Sequence, residues 1–258
     1  MQVCLKWEKD LEAKKRVEYY INLEKKRKMF FQKMYKELFI YFTTLYEKVV
    51  KVIDSDNFDS EAYLTAKIQE KKLKTLLMKN YKDIVEYFSN MTMQELTNKK
   101  QMSFDVWTVL FLAKLETGAG EKITNINNTV LMHIRRELQR GTLAGESIHE
   151  LSERLMNEKI SFSRVRAICV ARTEVIGTSN GASFETARFI DGGDGRLKKN
   201  WITTIDGRER PWHSDADGQT VGINEKFIVF GEELDYPGDP MGSAENVINC
   251  RCASSFEK

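Results

Sequence analysis

Between residues 31 and 52, apolar side chains recur in steps of three and four, at Phe31, Met34, Tyr35, Leu38, Phe42, Leu45, Val49 and Val52. This spacing predicts a long helix with one greasy face. The seven-residue set Phe31, Leu38, Leu45, Val52 has coiled-coil spacing, but the companion set Met34, Tyr41 breaks at Lys48, so a bundle or a partner-packed helix is expected. The polar cluster at residues 54–60 ends this helix and offers caps for a second, from about residue 60 to 88. A third helical piece is expected through residues 105–114. Residues 1–117 contain no glycine and no proline, which suits long helices and not a turn-rich fold. Gly118-Ala119-Gly120 is the first flexible stretch and is expected to mark a subdomain boundary.

Beyond it, Ile126, Val130, Ile134 and Leu138 predict a helix from about residue 125 to 140, stopping at Gly141. Ser147 and Glu150 have capping-box spacing ahead of a helix with Leu151 and Leu155 on its apolar face. Ser161 or Ser163 is expected to start another, in which the small residues Ala171, Gly177 and Gly181 allow a neighbour to come close. Arg172 and Glu174 lie about 200° apart on that helix, so at least one turns inward and needs a polar partner. The glycines of residues 191–196 are too irregular for a phosphate-binding fingerprint. Strands are expected at 201–205, 227–230 and 247–252, with a fixed turn at 236–240. The predicted fold class is α+β: a long-helical N-terminal region over residues 1–120, then a C-terminal domain of helices and a small antiparallel sheet over 121–258.

Composition adds little to that picture, but charge distribution does. The chain is 41% hydrophobic and 30% charged, in keeping with a globular protein, and its net charge is only +2. Residues 1–53 hold 13 Lys and Arg against 7 Asp and Glu, which makes this the one clearly basic segment. Within it, Lys25, Lys26, Arg27 and Lys28 form a run suited either to nucleic-acid phosphates or to a solvated helix face. No apolar run approaches the length of a membrane span, residues 38–42 being among the longest. The charged N-terminus lacks the apolar segment of a secretory signal. Both features point to a protein kept in the cytoplasm of the cell that makes it. Four cysteines, two of them one residue apart and the others at 4 and 169, do not make a secreted disulfide framework.

Rare residue types crowd into residues 201–252. All three prolines are there, with two of four cysteines, one of three histidines and two of four tryptophans. Ala171-Arg172-Thr173-Glu174, Trp201, Asp206-x-Arg208-x-Arg210-x-x-His213, Asp217-Gly218, Phe227, Tyr236-Pro237-Gly238-Asp239 and Asn249-Cys250-Arg251-Cys252 follow one another in an order that resembles the phage Mu F-like minor head protein, or head morphogenesis, domain. The resemblance covers roughly residues 125–256. It implies a minor capsid protein of a tailed bacteriophage, assembled in the host bacterial cytoplasm and resident in the capsid interior of the virion. It also implies procapsid assembly near the portal, with the portal protein, scaffold or major capsid protein and phage DNA as partners, and no membrane. Some relatives continue into toxin or enzyme domains. This sequence ends six residues past Cys252, which is expected to leave no room for one.

The shared residues admit two chemistries. Cys250 and Cys252, on one side of a strand, could meet His213 to hold zinc, with Asp206, Asp215 or Asp217 as fourth ligand, or the thiols could be small buried groups. Arg172, Thr173, Glu174, Trp201, Asp206, Arg208, Arg210, His213, Asp217, Gly218, Asn249 and Arg251 are expected to form a structural network that locks helix to sheet. The reading is of a non-enzyme, because no activated nucleophile sits beside a base and no acidic cluster suits a two-metal nuclease. The alternative is a metal-dependent hydrolase or nuclease centred on His213, Asp217, Cys250 and Cys252. It requires an open, concave site where the structural reading requires packed, satisfied residues. His133 and His149, on helices without nearby Cys or His, are expected to be surface or interhelix residues.

Overall fold

A computed structural model describes residues 2–98, 106–204 and 207–258. Four long helices come first: α1 (Gln2–Val50), α2 (Phe58–Thr97), α3 (Val106–Leu143) and α4 (Ile148–Asp191). Then follow β1 (Lys198–Ile202), α5 (Pro211–Asp215), β2 (Thr220–Gly222), β3 (Phe227–Val229), β4 (Glu232–Leu234), α6 (Ala244–Val247) and β5 (Ala253–Glu257). The α+β expectation holds, and two predicted breaks do not. α3 runs through Gly118–Gly120, where glycine costs a helix about 1 kcal/mol per residue and proline is absent to force an end. α4 likewise passes Ser161 and Ser163 without interruption, with Ser163 fully buried. The turn between α3 and α4 is as expected. Ser147 Oγ donates to Glu150 Oε2 at 2.7 Å, and the Ser147 and Glu150 amides complete the reciprocal cap.

By its contacts the chain forms two compact units, each gathered from separate stretches. One joins Met1–Gln32, Asp83–Phe111 and Arg172–Lys258, and the other Lys33–Lys82 and Leu112–Ala171. The units therefore do not follow the division expected at residue 120. The start of α1 belongs to the same unit as the C-terminal sheet.

The second unit is helical throughout, and the predicted apolar stripe is its core: Met34, Leu38, Phe42, Leu45 and Val49 are buried. A polar chain crosses it, in which Tyr41 Oη donates to Asn127 Oδ1 at 2.8 Å and Asn127 Nδ2 donates to the Ala66 carbonyl at 3.1 Å. Such buried groups are tolerated because each finds a partner.

In the first unit, β1 is the centre of an antiparallel sheet in the order β2-β1-β5, with Trp201 opposite Ser254 and Lys198 between Gly222 and Glu257. β3 and β4 form a separate hairpin. Trp201 is fully buried among Ala216, Phe227, Val229, Leu234, Cys250 and Cys252. Phe184, Ala187, Leu197, Ile223 and Tyr236 fill the space between α4 and the sheet. α4 and the Tyr236–Asp239 turn meet where only glycine fits, since a Cβ on Gly177 would stand 2.9 Å from the Gly238 carbonyl oxygen. Asp239 closes that turn, accepting from the amides of Asp235 at 2.8 Å and Met241 at 3.0 Å.

One strand residue carries an unusual burden. Lys199 is fully buried, donates from Nζ to the Asp235 carbonyl at 2.8 Å and lies over the Phe184 and Phe227 rings at 4.6 and 5.0 Å. Burial pushes its pKa down to about 8. Between that value and the ordinary lysine range, the unfolded chain stays protonated while the folded chain sheds its proton, so this group adds stability as pH rises. Lys199→Met removes the dependence. In urea unfolding from about pH 8 to pH 10, wild type is expected to gain about 1–3 kcal/mol on the variant. Parallel stability curves for the two proteins would show that Lys199 stays charged in the fold.

Candidate functional site

Cys250 and Cys252 do not lie on a strand, contrary to expectation. After α6 the backbone turns at Asn249, which has a left-handed φ of 58°, and both cysteines precede β5. The Ala171–Glu174 motif on α4 holds this turn. Thr173 Oγ1 accepts from the Asn249 amide at 3.0 Å, and Arg172 Nη1 donates to Asn249 Oδ1 at 3.2 Å. Glu174, next on the helix, is buried, as one of the Arg172 and Glu174 pair had to be. Two motifs far apart in sequence therefore meet as helix and clamped turn.

His213 comes from α5, where Pro211 at the first helical position suits a helix start. Thr203 Oγ1 donates to the His213 carbonyl and the Thr203 amide donates to Asp217 Oδ1 at 2.8 Å, so the chain leaving β1 holds the middle of the short helix and the turn that follows it. The imidazole is buried, edge-on to Trp201 at 5.6 Å. Its Nε2 lies 3.2 Å from Asn246 Oδ1, which also accepts from Trp212 Nε1 at 2.9 Å. Its Nδ1 lies 3.4 Å from Cys252 Sγ and 3.8 Å from Cys250 Sγ. Among the described residues, His213, Cys250 and Cys252 are the group of metal-capable side chains whose donor atoms converge, all within 4.8 Å of one another and all buried. The hydrogen bond between the thiols holds Cys250 below the ordinary thiol range, and with burial it pushes Cys252 well above.

A second cluster, which sequence reasoning missed, lies directly behind Cys252. Arg27 on α1 is fully buried. It donates from Nε to Ser179 Oγ at 2.9 Å, from Nη2 to Asn180 Oδ1 at 2.5 Å and from Nη1 to Glu24 Oε1 at 3.1 Å and the Cys252 carbonyl at 3.4 Å. Asn180 Nδ2 donates in turn to the carbonyls of Pro237 at 2.7 Å and Cys252 at 3.1 Å. Arg27 is thus not available to nucleic acid. Lys25 and Lys28 remain exposed, and Lys26 is half-buried against Met91.

The remaining predicted residues surround these clusters. Arg210 reaches the Ile248 carbonyl, and Tyr20 on α1 donates to the Arg251 carbonyl at 3.2 Å. Arg208 is exposed at the rim of the site. Gly218 donates from its amide to the Trp201 carbonyl at 2.9 Å with a φ of 76°, and a Cβ there would strike Arg16. Asp217 is exposed, facing Thr203 and, at 3.8 Å, Arg16. Asp217 is therefore no part of the thiol and imidazole group, and neither is exposed Asp215. Asp206 lies outside the described residues. His133 and His149 pair with Glu158 and Glu153 on their own helical unit, as surface and interhelix residues.

Two cavities adjoin the site. One of about 300 Å³ borders His213, Cys250 and Cys252 and is ringed by Arg172, Arg208, Glu209, Arg210 and Arg251. The other, about 520 Å³, is a groove in which Lys25, Lys28 and Phe31 of α1 face Arg172, Arg208 and Arg251. Among the described residues, no helix is long and apolar enough to cross a membrane.

Residues 128–255 match the family described as Phage Mu protein F like protein. Over 138 residues, 52% of its length, the chain is 27% identical to the NAD(+)–arginine ADP-ribosyltransferase EFV of Enterococcus faecalis, of which it covers 27%. Over 115 residues, 43% of its length, it is 31% identical to the uncharacterized protein YqbB of Bacillus subtilis, of which it covers 36%. The chain thus spans about a third or less of the length of each of these relatives. No solved structure shows significant similarity to it.

Proposed function

From the premise that residues 128–255 are a member of the phage Mu protein F-like family, we propose that the chain is a minor head protein of a tailed bacteriophage that acts in procapsid assembly. The observation that carries the reading is the family match itself, over residues 128–255, a stretch that includes the clamped turn, α5 and most of the small sheet. Its partners are the portal protein, with scaffold or major capsid protein around it, and its place is the capsid interior of the virion. The packing supports a structural role. Thr173 holds the Asn249 amide, buried Trp201 and His213 meet edge-on and are bonded to Thr203 and Asn246, and Asp217 stands apart, exposed beside Arg16. The ADP-ribosyltransferase activity is that of a relative of which the chain covers 27%.

Contact with packaged DNA is the second part of the proposal. Lys25 and Lys28 face Arg208 and Arg251 across the 520 Å³ groove, a concentration of cations suited to phosphate. The test of the assembly role is co-expression of the full chain with the portal, scaffold and major capsid proteins of its own phage, followed by sedimentation of the shells. The chain is expected in the shell fraction in fewer copies than the major capsid protein, and absent from shells made without portal. A chain that stays at the top of the gradient in both cases overturns the reading.

A further inference from the structure

We propose that His213, Cys250 and Cys252 bind one zinc ion through Nδ1 and two thiolates, with the fourth coordination position toward the 300 Å³ cavity. The distances carry the argument. In a tetrahedral site with Zn–N of about 2.0 Å and Zn–S of about 2.3 Å, ligand nitrogen and sulfur stand about 3.5 Å apart. The two observed separations, 3.4 and 3.8 Å, bracket that edge. A pair of thiols merely filling the core has no reason to converge on one nitrogen. The single Nδ1 lone pair can accept one S–H, so without an ion the second thiol bonds only to the first, and its approach to the nitrogen gains no bond there.

The imidazole is also held in the required tautomer. Asn246 Nδ2 donates to the Val229 carbonyl at 3.3 Å, and its Oδ1 accepts from Trp212 Nε1, so the atom facing His213 Nε2 is an oxygen. An oxygen only accepts, so Nε2 carries the proton and Nδ1 presents its lone pair to the thiols. Each ligand is fixed independently of any ion. Arg172 and Thr173 hold the Asn249 turn before Cys250, Arg27 and Asn180 hold the Cys252 carbonyl, and Thr203 holds that of His213. Two thiolates and a neutral imidazole suit zinc over harder cations.

Binding releases the two thiol protons, and the two thiolates balance the charge of the ion. The fourth ligand is a water or Glu209, which lines the same cavity and whose Oε2 is buried without a hydrogen-bond partner.

The test uses the full chain purified from zinc-supplemented culture without chelator, with metal measured by mass spectrometry after gel filtration. About one zinc per chain is expected, mostly lost in Cys252→Ser and in His213→Asn and retained in the Cys169→Ser control. Because those variants could unfold, cobalt(II) is also titrated into metal-free wild type. Thiolate-to-cobalt charge-transfer bands of a tetrahedral site are expected, and bound metal should protect two thiols from a thiol reagent until chelator is added. A folded wild type that takes up neither zinc nor cobalt overturns the site. So does a metal content that Cys252→Ser leaves unchanged. Glu209→Gln distinguishes the fourth ligand, weakening retention of zinc under chelator if the carboxylate binds and leaving it unchanged if water does. These outcomes are independent of whether the chain enters a phage shell.

Discussion

Arg27→Ala is expected to destabilise the chain by about 3–5 kcal/mol, because it removes one member of a buried hydrogen-bonded ionic cluster and leaves the others without it. The guanidinium, itself buried, serves four acceptors, on Glu24, Ser179, Asn180 and Cys252. Lysine cannot replace it, since one ammonium lacks the planar fork that reaches α4 and the Cys252 carbonyl together. Urea unfolding followed by circular dichroism measures the loss. The exposed neighbours behave oppositely. Lys25→Glu with Lys28→Glu is expected to change stability by no more than about 0.5 kcal/mol. The same pair should weaken binding to duplex DNA and lower its log–log salt slope by about 0.9 for each phosphate no longer neutralised. If Arg27→Ala costs less than about 1 kcal/mol, the cluster does not join α1 to the C-terminal module. If the lysine pair leaves DNA affinity unchanged, the groove is not a phosphate surface.

The inward turn of Arg27 was legible in the helical pattern but hidden by its neighbours. Tyr20, Leu23, Arg27, Phe30 and Met34 are spaced by three, four, three and four, so position 27 falls on the buried stripe and its flanking lysines do not. Taken as part of a four-residue cationic run, it looked like the rest. Residue types and local spacing did identify the long helices, the Ser147 cap, β1 and β3. They also brought His213, Cys250 and Cys252 together as one candidate group. They did not give the continuity of α3 and α4, because interior glycine and serine weaken a helix without ending it when tertiary packing supplies the difference. Nor did they reveal the path through Cys250. The run at 247–252 has strand-like composition, but Asn249 accepts a left-handed conformation that asparagine tolerates, and side chains 76 and 77 positions away hold it there. Such a turn is decided by its long-range partners. The same holds for Asn180, a plain helical residue until the Pro237 and Cys252 carbonyls are brought to it.

The largest single packing loss is expected from Trp201→Ala, at about 3–5 kcal/mol. Trp201 is fully buried on the central strand, meets Phe227 edge-on at 5.4 Å and donates from Nε1 to Thr203 Oγ1 at 3.1 Å. Its removal opens a cavity at the point where β1, β3 and the two cysteines converge, in a cluster of small extent with few large side chains to fill it. Trp201→Phe keeps a ring against Phe227 but forfeits volume and the bond to Thr203, so it should lie between alanine and wild type. The substitution also tests how firmly the site is built. His213 rests edge-on against the same indole, so the alanine variant should loosen the imidazole while Asn246 still holds its tautomer. Near-ultraviolet circular dichroism with denaturant unfolding separates the outcomes. Loss of near-ultraviolet signal at retained helix content places the damage in the sheet, whereas a cost below about 1 kcal/mol would mean that the polar lock through Arg27, Asn180 and the Asn249 turn holds the sheet without its aromatic core.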